Sequence, residues 1–405
     1  MTTGKPVDTA PGLSTRHHPG KRGKAPAGIF GIYVHLPFCR RKCPYCSFYS
    51  VVGGRGYGKR YLRALYLQVE ALATLPWLDG RSCATIFFGG GTPTVIDPES
   101  LNELLCLIRT RFSCDPDAEI SIEVNPATVD EAGLRELRRG GFNRISIGLQ
   151  SLDRRELHQL GRIHSASQGS ATALSARAAG FSRISLDLIY GIPGQSISTW
   201  RATLDRALEL APDHLSLYEL TLEKETPYFD LVRSNRLSMP GEEDVLAMLS
   251  LAVEKTAAAG LQRYEIANYA RPGHECRHNL NYWRNGSYLG LGAAAVSCLS
   301  GRRLSSVADI ELFCSRLEAG DDAWEHEERL DREAHFRETV ILGLRMTRGI
   351  DFSTLHERFG FHVPDYYGEL LHRLRDLQLL SVDGNSMRLT NRGMRLANAV
   401  MAELV

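Results

Sequence analysis

The chain has 405 residues, with 48 Lys and Arg against 47 Asp and Glu, a formal net charge of +1. That balance excludes a global field steering it to nucleic acid or to an acidic membrane surface. Hydrophobic residues make up 43% and charged residues 23%, enough apolar material for a large core, and no run approaches the roughly 18 apolar residues of a membrane helix.

Residues 1–28 (MTTGKPVDTAPGLSTRHHPGKRGKAPAG) lack hydrophobic periodicity and read as a disordered basic tail without the apolar centre of a secretory signal. From residue 29 a strand-then-helix rhythm sets in. Expected strands are 29–38, 83–91, 119–126, 144–151, 183–191, 214–223 and 263–270, nearly continuous in apolar residues, as for strands buried on both faces. Helical patterns lie between them at 57–74, 98–112, 129–139, 152–160, 167–179, 198–210 and 242–260. The alternation predicts an α/β fold with a full or partial parallel (βα) barrel over 29–300, whose functional residues gather at the C-terminal ends of strands.

Residues 271–300 interrupt the rhythm with turn residues, aromatics and glycines. Beyond about 305 the pattern is mostly helical, with two short strands around Asp383-Gly384-Asn385 and a closing helix from Asn391. Residues 301–405 are therefore expected to form a winged-helix-like domain. From Asp331 onward it has ten Asp and Glu against ten Arg and no Lys, so it lacks the basic footprint of a nucleic-acid binder.

Three of the nine cysteines, Cys39, Cys43 and Cys46, follow the first strand with spacing C-x₃-C-x₂-C. The other six are scattered singly, and nine thiols without a secretory signal suggest a reducing, cytoplasmic interior. Three thiolates suit a [4Fe–4S] cluster with one iron left open. Spacing alone also allows a zinc ion with His35 or a distant histidine as fourth ligand.

The segments "YVHLPFCRRKCPYCSF", "FFGGGTPT", "IEVNP", "ISIGLQS", "LDLIYGIPGQ" and "HNLNYW", in this order, resemble the radical S-adenosylmethionine (SAM) superfamily, and within it the HemW haem chaperones. Those chaperones are relatives of oxygen-independent coproporphyrinogen III dehydrogenase. The resemblance spans about residues 30 to 400. It implies that Cys39, Cys43 and Cys46 hold the cluster, and that Tyr33, Tyr45, Gly90, Gly91, Thr92, Glu123, Gln150, Arg162 and Asp187 line a SAM pocket. These residue types have the chemistry such a pocket needs. Glycines admit close backbone approach, and Glu123, Gln150, Arg162 and Asp187 offer donors and acceptors for ribose, ammonium and carboxylate.

The same resemblance implies haem as cargo, with His278 as candidate axial ligand and Tyr282 and Trp283 as aromatic surface for the macrocycle. It further implies delivery to an apo-haemoprotein, with a membrane respiratory enzyme as one candidate, together with an electron donor and the option of a homodimer. Two positions separate the relatives. The dehydrogenases carry a fourth cysteine where this chain has Phe48, and both families commonly have a histidine where this chain has Val296, with Ala294 replacing a glycine just before it. Phe48 and Val296 disfavour dehydrogenase activity. The rival expectations are a radical SAM oxidoreductase acting on a porphyrin-type substrate and a zinc-binding structural protein.

Overall fold

The computed structural model of the chain describes residues 28–53 and 57–405. The tail expected over 1–28 lies outside them, apart from Gly28, which opens the first strand. Six parallel strands follow in chain order, each paired with the next: β1 (Gly28–Leu36), β2 (Arg81–Gly90), β3 (Cys114–Val124), β4 (Arg144–Gln150), β5 (Ile184–Tyr190) and β6 (His214–Glu219). Parallel neighbours need a crossover, supplied by the helices Gly58–Leu72, Pro98–Arg111, Glu131–Gly140, Ala166–Ala178 and Ile197–Glu209. Their starts follow local chemistry. Asp97 accepts from the Ser100 N–H at 2.8 Å just ahead of Pro98, and Ser165 with Gln168 and Ser196 with Thr199 form capping boxes. Each such cap contributes about 1 kcal/mol.

On one edge β7 (Asn268–Ala270) pairs antiparallel with β6. On the other, β8 (Tyr288–Leu291) lies parallel to β1, and β9 (Val296–Leu299), β10 (Arg302–Ser306) and β11 (Trp324–Arg329) continue outward as an antiparallel meander. The order β11-β10-β9-β8-β1-β2-β3-β4-β5-β6-β7 is linear, so the barrel is partial. The strand expected at 263–270 is two short antiparallel pieces, Gln262–Arg263 and Asn268–Ala270. The seventh parallel strand is β8, hidden in sequence by the turn residues and glycines around it. β10 and β11 fall where a mostly helical pattern was expected, because their alternation is charged rather than apolar.

The strands are not apolar on both faces. One alternating row of β1 to β4, which includes Ile32, Val34, Ile86, Phe88, Ile122 and Ile145, joins the main core against the helices. Residues of the other row, among them Tyr33, Glu123, Ser146, Asp187 and Ser216, line an internal lumen instead. The barrel has one dry face and one polar face.

Past β11, helix Arg332–Leu344 begins a second core through Phe336, Val340 and Leu344, which pack with Leu355, Phe359 and Leu374 from the following helices. The hairpin of β13 (Leu380–Asp383) and β14 (Ser386–Leu389), with β12 (Ile350–Asp351) on its flank, gives the winged-helix-like pattern of helices and a small sheet. Among the described residues no helix is long and apolar enough to cross a membrane.

Candidate metal centre and lumen

The cysteine loop leaves the C-terminal end of β1. Phe38 and Cys39 pair with Val51 and Val52, closing the loop at its base. A turn joins the second and third thiols, with the Cys46 N–H donating to the Cys43 carbonyl at 3.2 Å, and the Tyr228 N–H clamps the loop at the Pro44 carbonyl, 3.1 Å away. All nine cysteines are free, and the three loop thiols are half-buried. Burial, with the thiols of Cys43 and Cys39 nearby, pushes the Cys46 thiol up.

Two side chains from other loops meet these sulfurs. Thr92 Oγ1 lies 3.8 Å from Cys39 Sγ, and an Arg162 N–H donates to Cys43 Sγ at 3.7 Å. A guanidinium and a hydroxyl beside anionic sulfur ligands are what a thiolate-held iron–sulfur cluster needs from its surroundings. The histidine considered as a zinc ligand, His35, is committed elsewhere: its Nδ1 meets the Tyr33 hydroxyl at 3.2 Å and its Nε2 the Tyr49 carbonyl at 3.1 Å. No three His, Cys, Asp or Glu side chains among the described residues already close around a single-ion site. The donor set, three free thiols with a cation and a hydroxyl beside them, fits a cluster.

Most of the expected ligand-binding residues converge on the same rim. Arg162 also donates to Asn125 Oδ1 at 2.8 Å and to the Gly148 carbonyl at 2.7 Å, while its Nε is buried without a partner. Gln150 ends β4 at φ 64°, a left-handed conformation rare outside glycine, beside the Arg162 guanidinium over Gly148. Gly90 donates its N–H to Glu123 Oε2 at 3.2 Å. The glycines serve local packing here: a Cβ on Gly90 would stand 2.6 Å from the His35 ring, and one on Gly91 2.7 Å from the Phe38 carbonyl. They let the cysteine loop lie directly on the end of β2. Tyr45 turns away from the lumen to pack near Tyr228, its ring centroid 6.3 Å distant.

Below the rim, Tyr33, Glu123, Asp187, His278 and Tyr282 share a lumen of about 300 Å³, with exposed Phe48 at its mouth. Burial, reinforced by the nearby Asp187, pushes Glu123 up to about 8. Burial also raises Asp187, against the hydroxyls of Ser146 and Ser185, which donate to it at 2.9 and 3.2 Å. Glu123, which keeps its proton at neutral pH, and the raised Asp187 beside it can hydrogen-bond hydroxyls or, once ionised, pair with a cation.

His278 sits on the short helix Arg277–Trp283, which plugs the lumen near the N-terminal half of the strands. It is 1% exposed, stacks on Phe87, and has both nitrogens engaged: Nδ1 with Thr85 Oγ1 at 2.7 Å and Nε2 with the Tyr282 hydroxyl at 3.1 Å. Burial, with Arg144 adding to it, lowers His278 to about 3, so the imidazole is neutral. Trp283 lies apart from the lumen, with the Arg345 guanidinium 4.4 Å above its ring.

Sequence reasoning missed Glu119, Arg144, His214 and Ser216. Glu119 is fully buried and caps the His278 helix, accepting from the N–H groups of Arg277 and His278 at 3.1 Å each. The other three line the lumen. The signal was present in "EISIEV", "RISIGLQ" and "HLSLYE", where a polar or small residue recurs at every second position.

The radical SAM superfamily model matches residues 33–207, and the HemN C-terminal domain model matches 330–396. The chain is 35% identical to the heme chaperone HemW of Mycobacterium tuberculosis over 388 residues, 94% of this chain and 96% of that protein. With the heme chaperone HemW of Bacillus subtilis it shares 31% identity over 369 residues, 91% of this chain and 97% of that one. Among solved structures, the radical SAM enzyme coproporphyrinogen III oxidase (HemN) of Escherichia coli superposes with a TM-score of 0.81 at 26% identity, covering 93% of this chain and 90% of that one.

Proposed function

The chain belongs to the HemW family of radical SAM proteins, and on that premise we propose that it is a haem chaperone, taking up haem and handing it to an apo-haemoprotein. The observation that carries this reading is near-full-length similarity to two heme chaperones, together with a loop that keeps three thiols and has Phe48 where a fourth would stand. The protein carries a [4Fe–4S] cluster and a SAM site. The cluster supplies one-electron reduction of the SAM sulfonium when both are bound.

The chain's own residues divide the work. Cys39, Cys43 and Cys46 hold three irons and leave one open. Arg162 places a positive charge beside Cys43 and ties the loop to the ends of β3 and β4 through Asn125 and Gly148. Glu123 and Asp187 receive the ammonium or ribose hydroxyls of SAM, with Gln150, Thr92 and Tyr33 around them, while Gly90 and Gly91 keep the loop close. Tyr45 supports the loop from outside. His278 is the candidate axial ligand to haem iron. Its engagement with Thr85 and Tyr282 means that ligation needs the helix Arg277–Trp283 to swing out and present it with Tyr282 and Trp283.

The acceptor on this reading is a respiratory haemoprotein at the membrane, the location is cytoplasmic, and the cluster takes its electron from a separate donor protein. SAM and the intact cluster regulate transfer and a homodimer. The test is an anaerobic haem titration of the cluster-reconstituted protein, followed at the Soret band, with His278→Ala beside it. Saturable binding that His278→Ala shifts supports an imidazole-ligated cargo, and binding untouched by it moves the ligand elsewhere. No saturable band sinks the chaperone reading.

The likeness to coproporphyrinogen III oxidase favours a second reading, a radical oxidoreductase on a porphyrin-type substrate. It requires 5′-deoxyadenosine release stimulated by that substrate. Phe48 and Val296 weigh against it.

A further inference from the structure

Away from the lumen, two cysteines stand side by side on adjacent strands. Cys83 in β2 and Cys114, which opens β3, are register partners in the parallel ladder. Neighbouring strands lie about 4.8 Å apart, inside the Cα separation of about 4.4–6.8 Å that a disulfide spans. Both side chains belong to the core on the helix side of the sheet, Cys83 fully buried and Cys114 half-buried against it. The Cys83 N–H donates to the Ser113 carbonyl at 2.7 Å and the Ser82 hydroxyl donates to Asp115, so the two strands are pinned on both sides of the pair. Hydrogen bonding between the two thiols, together with burial, pushes Cys83 up. The same contact, aided by the Arg109 guanidinium against partial burial, draws Cys114 down toward its thiolate. The pair lies seven residues before the rim glycine Gly90, about 23 Å along the strand from the cysteine loop.

The next register pair is Thr85 with Glu119, so Ala84 alone in β2 stands against Asp115 to Ala118 in β3, and β3 bulges. That bulge is the seat of the His278 helix. Glu119 caps the helix, and the Asp117 carbonyl accepts from the Arg277 guanidinium at 2.8 Å. We propose that Cys83 and Cys114 are a peroxide-sensitive pair, which closes to a disulfide and fastens the foot of the bulge on which the His278 helix is seated. The Cys114 thiolate attacks a peroxide oxygen, giving a sulfenic acid and hydroxide, and the hydroxide takes up the proton that Cys114 had released. The Cys83 sulfur then attacks the sulfenic sulfur, the S–S bond forms, and the hydroxyl leaves as water with the Cys83 proton. Two thiols lose two electrons, and hydrogen peroxide is reduced to two waters. All nine cysteines are free here, which is the reduced state of the pair, and in a reducing compartment such a bond is transient. The pair stands on this geometry and holds whether or not haem is the cargo.

The experiment exposes the full chain, cluster reconstituted, to graded hydrogen peroxide, then alkylates the remaining thiols and maps tryptic peptides. A Cys106→Ser background leaves Cys83 as the one cysteine of peptide 82–109. The expected product joins that peptide to 112–135 through Cys83 and Cys114, and dithiothreitol reverses it. Cys83→Ala should stop Cys114 at a sulfenic acid that dimedone traps. The oxidised chain should exchange the amides of Arg277–Trp283 severalfold more slowly, and Cys83→Ala treated alike should show no slowing. Cys83 and Cys114 both alkylated at every peroxide concentration would overturn the proposal, as would Cys114 joined to another thiol. Exchange over Arg277–Trp283 that oxidation leaves unchanged, or slows equally in Cys83→Ala, overturns it too.

Discussion

The carboxylate of Glu119, in the middle of a strand, caps the helix that carries His278, accepting the His278 N–H at 3.1 Å. A buried anion thus fixes both the start of that helix and the place of its imidazole. The same carboxylate is the closest counter-charge to buried Arg144. Replacing Glu119 by Ala leaves two backbone N–H groups and a guanidinium uncompensated, which should destabilise the protein by about 3 kcal/mol or more. Urea denaturation measures the loss. Glu119→Gln keeps an acceptor and should lose less. Faster amide exchange over Arg277–Trp283 should accompany both, and unchanged exchange there would show that the cap does not hold the helix.

Each of Cys39→Ser, Cys43→Ser and Cys46→Ser should abolish cluster assembly, because three thiols are the whole protein donor set at the rim. Iron and sulfide per chain after anaerobic reconstitution read the outcome, with circular dichroism as the check on folding. Cys106→Ser, at an exposed helix position, is the control and should leave iron content unchanged.

Glu123 makes stability depend on pH. Its folded pKa, about 8, lies above the usual value of 4.5. The folded state therefore holds a proton that the unfolded state has released between these values. Stability from this group is full below about pH 4.5 and falls as pH rises toward 8, by a few kcal/mol. Glu123→Gln should remove that part of the slope. Denaturation curves for both proteins from pH 5 to 9 give the difference, and parallel slopes would exclude Glu123 as its source.

Ala294, where the family resemblance implies a glycine, occupies a left-handed conformation, φ 59°. An L-residue there costs about 1–2 kcal/mol in the folded state, partly offset by its stiffer unfolded chain. Ala294→Gly should raise stability by about 0.5–1 kcal/mol, read as a higher denaturation midpoint at unchanged slope. A lower midpoint would mean that the Ala294 methyl makes a compensating contact.

Much of the frame was legible before the structure. The helix caps at Asp97 and Ser196, the parallel strands up to β6, and the hairpin at Asp383-Gly384-Asn385 are local chemistry, and each appears where local chemistry puts it. β8 escaped because four residues between glycine-rich turns carry too little periodicity to stand out. β10 and β11 escaped because strands rich in Arg and Glu do not resemble a buried strand, although cross-strand pairs such as Arg303–Glu328 hold them together. Thr92, Arg162 and Cys43 were nameable from motif order. The contact between Arg162 and Cys43, 119 positions apart, was not, because it depends on how two distant loops meet in space. Arg144 and Glu119 were passed over because their apolar neighbours dominated the strand pattern.

The two faces of the barrel strands answer to different demands. Stability rests mainly on the row facing the helices, since that is where the strands join the main apolar core. Chemistry rests on the other row, where side chains touch the bore and few of them are needed to hold the helices. A lineage can therefore rewrite the bore, one alternate position at a time, while the scaffold around it keeps its fold. Specificity and robustness in this architecture evolve on separate sets of residues, interleaved along the same strands.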